Sequence, residues 1–375
     1  MRSALNLWSL VAVLTMVSAT ASHAKTLTST HGALKLETLR SDLHHPWGMA
    51  FLSEHRLLIT ERRGRLWHLN LKSGEKGEIL GLPVIQAKGQ GGLLDVALSP
   101  SFDKDRRIYL SYTGGTAQRK STHVGFGTLN GTQLKNFRVI FESRPLISSG
   151  YHFGSRLVFD SKGHLFISLG ERGKMELAQD PSNHAGAMIR ILPDGTIPKS
   201  NPFVGRPKFQ PEIYSYGHRN MQGAALNPWT GELWAHEHGP RGGDEINIIR
   251  PGQNYGWPTV TYGINYDGSE ISQFTSKEGL TPPIHHWTPS IAPSGMTFVY
   301  GPEFPKWEGN LLVGSLKFRQ LRNLSIEGAR VVNEEILLGE LDERIRDVEI
   351  GPGGAIYILT DSKSGKLLRL TRKRP

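Results

Sequence analysis

The residues able to do chemistry crowd into one stretch, 213–258. It carries a cation and an amide at Arg219 and Asn220, and a tight His238-Gly239-Pro240 turn. An acidic pair follows at Asp244 and Glu245, then a glycine flanked by aromatics at Tyr255, Gly256 and Trp257. Packing alone does not call for such a density of polar groups between short strands, since charged side chains enter an interior only when paired or bound. The stretch is read as a loop system that binds an anionic cofactor and its metal, with the rest of the chain supplying the walls.

Outside that stretch, Gln90 precedes GGLL, His152 precedes FGSR, and Arg344 and Arg346 lead into DVEI, each where a strand is expected to begin. Arg219 and Asn220 hold the same place before MQG, while Lys317 follows a strand in GSLK. An imidazole, four cations and two amides facing one channel would suit a planar polyanion. Histidine is the natural base among them, because its unperturbed pKa of about 6.5 leaves it largely neutral at pH 7. Taken singly each has a plain explanation: a capped loop histidine for His152, a surface ion pair for Arg344 or Arg346, a solvated side chain for Lys317.

The elements that would bring these residues together repeat along the chain. A strand pair, broken by a Pro/Asp/Gly turn, recurs from Trp47, Gly91, Gly154, Gln222, Ser294 and Arg346. Helical periodicity is nearly absent. Six copies of a short β unit predict an all-β, six-bladed β-propeller rather than a sandwich, which would explain the strands but not their sixfold recurrence. The strand around Leu34 to Leu39 is expected to join the last blade and close the ring, leaving no unpaired edge. The organisation expected is a leader over 1–24 and a single propeller domain over 25–375.

The leader has a positive charge at Arg2, an apolar run from about Leu5 to Val17 and small residues at Ser22 and Ala24. That is the pattern of a secretory signal peptide. The run is shorter than the roughly 20 residues needed to span a bilayer, and no later stretch is apolar enough for membrane insertion. The protein is therefore expected to be secreted, and periplasmic in a Gram-negative source. The absence of cysteine among 375 residues excludes disulfides, thiolate chemistry and cysteine-held metals. The net charge of +10 is spread along the chain apart from the terminal TRKRP, so it points to a small anionic ligand and not to nucleic acid.

HFGSRLVFD, GHRNMQG, HGPRGGDEINII, NYGWP, LLVGSLK and ERIRDV, in this order and spacing, resemble the soluble pyrroloquinoline quinone (PQQ) dependent sugar dehydrogenases. The likeness is closer to the compact bacterial aldose sugar dehydrogenases than to the longer glucose dehydrogenases, and runs from about Leu43 to Leu370. It implies oxidation of aldose sugars at C1 to lactones, with PQQ and Ca2+ as cofactors and an unidentified electron acceptor as partner. His152 would be the general base and Glu171 would orient its ring, a position held by aspartate in the glucose-oxidising branch. Gln90, Arg219, Asn220, Lys317, Arg344 and Arg346 would bind PQQ, with Arg219 near the oxygen that gains charge. The Gly239 and Pro240 carbonyls would hold the bridging calcium, and Glu245 and the Tyr255 carbonyl a structural one.

Two other readings are distinguishable. A propeller lactonase would hold calcium at the channel centre with several acidic and amide side chains, and a non-catalytic binding propeller would not need His152 and Glu171 together. His236 and His238 suggest zinc only if a third ligand joins them. GQGG at 89–92 is no dinucleotide fingerprint, since no helix follows. Trp47, Trp234 and Trp257 are read as blade packing, and Trp287 as a residue that could face a sugar.

Overall fold

A computed structural model describes residues 24–374. The leader assigned to 1–24 lies, but for Ala24, outside the described residues. The chain forms six antiparallel sheets. Their first strands are Pro46–Ser53, Leu93–Leu98, Leu157–Phe159, Met221–Leu226, Pro293–Phe298 and Ile345–Ile350. These pack against one another in order and the sixth meets the first, so the sheets are the blades of a closed propeller. The six starts follow the six repeats of the sequence. The α-helix found among the described residues is a single turn, Phe102–Asp105.

The turns explain why the repeats are legible. In blade 3, Asp160 Oδ1 accepts the N–H groups of Lys162 and His164, and Gly163 takes a positive φ of 81° that a side chain would resist. In blade 4, Asn227 Oδ1 accepts from Trp229 and Thr230 in the same way. Each turn reverses the chain within a few residues, and the apolar alternation resumes on the next strand.

The core is divided among the seams between blades. One apolar cluster fills each seam: Leu58 and Leu66 meet Leu93 and Leu110, Tyr109 and Val124 meet Leu165 and Ile189, and so round the ring. Closure is made by the strand Gly32–Leu43, which pairs with the last strand, Gly365–Arg372, placing Leu34 opposite Arg372 and Leu36 opposite Leu370. The ring is thus completed from both ends of the chain, as the sequence predicted.

The first strands share one irregularity. Five of the six have a register shift at their starting end, at Pro46/Met49, Leu93/Val96, Met221/Gly223, Pro293/Met296 and Ile345/Asp347. A bulge re-aims the side chains of its extra residues. The residues inside these bulges include Trp47, Leu94, Gln222 and Arg346, and all four line the same cavity at the end of the channel.

Below that cavity the channel is plugged by Arg156, which lies 3.2 Å from Asp95 and 3.0 Å from Asp347, with its guanidinium 4.4 Å over Trp47. Asp95 also accepts the Leu157 N–H, and Asp347 the Met49 N–H. Blades 1, 2, 3 and 6 are tied through this one cation. Burial, with Asp95 beside it, pushes Asp347 up to about 6 against the pull of Arg156.

Candidate active site

The cavity has a volume of about 190 Å3 and two kinds of wall. Trp47, Leu94 and Phe153 form a small apolar cluster of their own, a face suited to a flat ring. Opposite chemistry comes from Gln90, Asn220, Gln222, Arg62, Arg344 and Arg346, with Asp361 and His238 among them. Of the residues singled out from the sequence, Gln90, Asn220, His238, Arg344 and Arg346 meet here. Trp47 packs between blades and lines the cavity as well.

His152 stands at the edge of this wall, just before Phe153. Its Nδ1 is 2.5 Å from Glu171 Oε2, and the imidazole side chain is only 13% exposed. A carboxylate accepts, so Nδ1 carries a proton, and the tautomer this selects leaves the lone pair of the ring on Nε2. Glu171 Oε2 also accepts the Gly173 N–H at 2.6 Å, and Gly170 leaves room for the His152 carbonyl that any Cβ would strike. On the other side, the His152 N–H donates to Gln90 Oε1 at 2.8 Å. That bond fixes the amide, leaving the Gln90 NH2 as a donor. Asn220 is oriented likewise, because its Oδ1 accepts the Gly154 N–H at 3.1 Å.

Arg346 and Arg344 differ. Arg346 lies 2.8 Å from Asp361 with its side chain 8% exposed, whereas Arg344 is 3.8 Å from the same carboxylate and 46% exposed. Burial alone would raise the pKa of Asp361, but Arg346, with His45 and Arg62 nearby, holds it well below the ordinary carboxylate range. Asp361 therefore stays ionised and neutralises only part of the cationic wall. Arg62 makes no side-chain hydrogen bond or ion pair among the described residues, and it also borders a neighbouring hollow of about 170 Å3 with His44, His45 and Arg63.

Arg219 sits deeper. Its Nη1 donates to the carbonyls of His238 (2.9 Å) and Gly239 (3.0 Å), and its guanidinium lies 5.3 Å over Trp257. It borders a void of about 10 Å3, room for one ion or water, lined also by Gly239, Glu245, Tyr255 and Glu237. Burial pushes the Glu245 carboxyl well up, and the nearby Glu237 adds to the shift. Asn247 bridges the two acids through Nδ2, and its Oδ1 is buried without a partner. Two buried carboxylates beside a hole of ionic size fit a hard cation such as calcium. Pro240 does not border the void. Among the described residues no three His, Cys, Asp or Glu side chains cluster as a metal site, so a cation held here would need backbone carbonyls as well.

Lys317 follows the strand Leu311–Ser315 as expected but is exposed, with its ammonium 5.3 Å from the Phe318 ring, at the rim and not on the cavity wall. Trp287 does not face the site: it is buried, and its indole N–H donates to Glu334 on the outer strand of blade 5. His236 and His238 each direct Nε2 at a backbone carbonyl, of Ser294 and Pro293, which accounts for both without zinc.

Arg62 and Asp361 carry no signal of their own in the sequence, and His238, read there as part of the tight turn and as a possible zinc ligand, joins them on the cavity wall. Each stands where the second strand of a blade ends, the place that Glu171 and Lys317 occupy in blades 3 and 5. In an antiparallel pair that position lies beside the start of the first strand. Reading both positions in every repeat would have found them.

With this geometry in hand, comparison with known proteins is decisive: residues 43–369 match the family described as glucose/sorbosone dehydrogenase. The chain belongs to that family, and it is an oxidoreductase. The aldose sugar dehydrogenase of Escherichia coli K12 is 44% identical over 344 residues, covering 90% of this chain and 93% of the relative. The crystal structure of the soluble E. coli aldose sugar dehydrogenase in its apo-form superposes with a TM-score of 0.88 at 44% identity, covering 91% of this chain and all of that one. A PQQ-bound aldose sugar dehydrogenase from Streptomyces coelicolor gives 0.74 at 28% identity, covering 93% and 98%. As in these dehydrogenases the scaffold is the propeller, and no helix among the described residues is long and apolar enough to cross a membrane.

Proposed function

We propose that the protein oxidises aldose sugars at C1 to lactones, using PQQ and calcium, with His152 as general base. The observation that supports this most is the Glu171–His152 pair at the edge of a cavity with one apolar wall and one cationic wall. PQQ, when bound, supplies the hydride acceptor at its C5 carbonyl, and calcium the Lewis acidity that draws charge onto that oxygen.

The residues of this chain have separable tasks. Glu171 holds the His152 ring with Nε2 free to take the proton of the anomeric hydroxyl, and stabilises the imidazolium that results. Trp47, Leu94 and Phe153 exclude water from one face of the cavity. Arg344, Arg346 and Arg62, with the oriented NH2 groups of Gln90 and Asn220, suit the three carboxylates and quinone oxygens of PQQ. Arg219, beside the ion-sized void, stands where charge develops. Lys317, at the rim, can reach a bound cofactor by its flexible stem. The Gly239 and Pro240 carbonyls would hold the calcium beside the cofactor, and Glu245 with the Tyr255 carbonyl a structural one at the void, which Pro240 does not border.

The leader supports export, and an electron acceptor not yet identified reoxidises the cofactor. The deciding experiment titrates EDTA-treated protein with PQQ and calcium, then adds glucose and an electron-accepting dye. Saturable dye reduction that needs both additions is the expected result. A protein that binds no PQQ would overturn the proposal and bring the lactonase reading forward.

A further inference from the structure

We propose that Arg172 is a positioning residue for the base: it grips the carbonyl of the very peptide bond whose nitrogen belongs to His152. This rests on the reading of His152 as base.

Arg172 is only 4% exposed, yet among the described residues it has no carboxylate within ion-pairing distance. Its charge is met by three backbone carbonyls instead. Nε donates to Tyr151 O at 2.9 Å, Nη1 to Lys120 O at 3.0 Å and Nη2 to Ser149 O at 2.5 Å, while the guanidinium lies 3.8 Å over the Phe153 ring. Only the neighbouring Glu171 charge favours the cation through space; a buried cation without a paired carboxylate is expensive, several kcal/mol in real proteins, and a loop in need of a staple can be held by a neutral amide. Burial brings its pKa down to about 10, so the cation persists at neutral pH.

The grip is aimed. The peptide unit joining Tyr151 to His152 is held at its oxygen by Arg172 and at its N–H by Gln90 Oε1, 2.8 Å away. That unit leads into a strained run: His152, Gly154 and Ser155 all have positive φ, at 52°, 62° and 93°. Such conformations persist only where the surroundings over-determine them. The dipeptide Glu171-Arg172 therefore fixes the base twice, its ring through the carboxylate and its backbone through the guanidinium. A displacement on the order of 1 Å at a reacting group can lower a rate about 100-fold.

The test uses Arg172→Ala and Arg172→Lys, with His152→Ala as reference. In the apoprotein, the Nδ1 proton of His152, bonded to Glu171, should give a far-downfield NMR signal that broadens or vanishes in Arg172→Ala. With PQQ and calcium, kcat should fall roughly 100-fold, PQQ affinity should stay at the wild-type level, and guanidinium ions, but not equal sodium chloride, should restore part of the rate. Arg172→Lys keeps the charge without the three-way fork and should show an intermediate kcat; it decides the question if the alanine variant does not fold. A wild-type kcat in either folded variant, or a loss of PQQ affinity in step with kcat, overturns the positioning role. If His152→Ala itself retains the wild-type rate, the base assignment fails, and the apoprotein signal still reports whether Arg172 orders the loop.

Discussion

Glu171 Oε2 and His152 Nδ1 stand 19 residues apart in the chain and 2.5 Å apart in the fold. The carboxylate leaves the second strand of blade 3, and the imidazole stands just before the first. Their meeting follows from the antiparallel pairing of Leu157–Phe159 with Leu165–Ser168.

His152→Ala should lower kcat by about 10²- to 10⁴-fold, the usual contribution of a general base, with PQQ still bound. Glu171→Gln should fall between this variant and wild type, because the amide still accepts from Nδ1 but does not stabilise the imidazolium. Stopped-flow reduction of the bound cofactor measures both. A His152→Ala rate above about a tenth of wild type would contradict the base assignment.

The two arginines beside Asp361 should separate affinity from stability. Arg344, half exposed and loosely paired, should lose about 1.5–3 kcal/mol of PQQ binding on truncation to alanine, roughly 10- to 150-fold in Kd, with little change in apoprotein Tm. Arg346→Ala should lower both, because it strands the buried Asp361 carboxylate. Calorimetric titration together with thermal unfolding distinguishes them, and equal Tm losses would refute the distinction.

Calcium should stabilise the apoprotein before any cofactor is added. A ligand at 100 times its Kd contributes about 2.7 kcal/mol, several degrees in Tm. The effect should vanish in Glu245→Gln, which removes one of the two buried acids at the void. Identical calcium shifts in the variant and wild type would place the ion elsewhere.

Acid sensitivity should begin near neutrality. Burial holds His236 down to about 3, so the folded state keeps this ring neutral while the unfolded chain protonates it near 6.5. The unfolded state then binds more protons, and stability present above about pH 6.5 drains away as pH falls toward 3. His238, depressed in the same direction by burial, adds to the slope. His236→Gln retains a donor toward the Ser294 carbonyl and should flatten the fall in Tm between pH 7 and 5. An unchanged slope would show that His236 is not its source.

The sequence disclosed the ring because every blade repeats its turn chemistry, and it disclosed His152, Gln90, Asn220, Arg344 and Arg346 because each precedes or opens a first strand. It did not disclose the bulges, since an extra residue in a strand pair leaves no periodic trace. Gln222 and Leu94 therefore show no sign of a site in the sequence, and Trp47 reads there as packing alone. The sugar-facing alternative for Trp287 fails for another reason: an aromatic in a polar loop looks exposed until its indole finds a partner such as Glu334. Arg172 gave no signal, because a cation satisfied by carbonyls has no acidic mate to seek in the sequence.

The pairing of Gly32–Leu43 with Gly365–Arg372 has a consequence for how the molecule can be handled. Both strands belong to one blade, so the first and last strands described are close in space, and trimming either is not a local change. Removing a few residues past Gly365 would unfasten a seam whose apolar residues also come from blade 5, loosening Arg344, Arg346 and Asp361 at the opposite end of the same blade. Conversely, joining Ala24 to Arg374 through a linker and opening the chain in an exposed turn elsewhere should yield a working propeller with its latch moved to another blade.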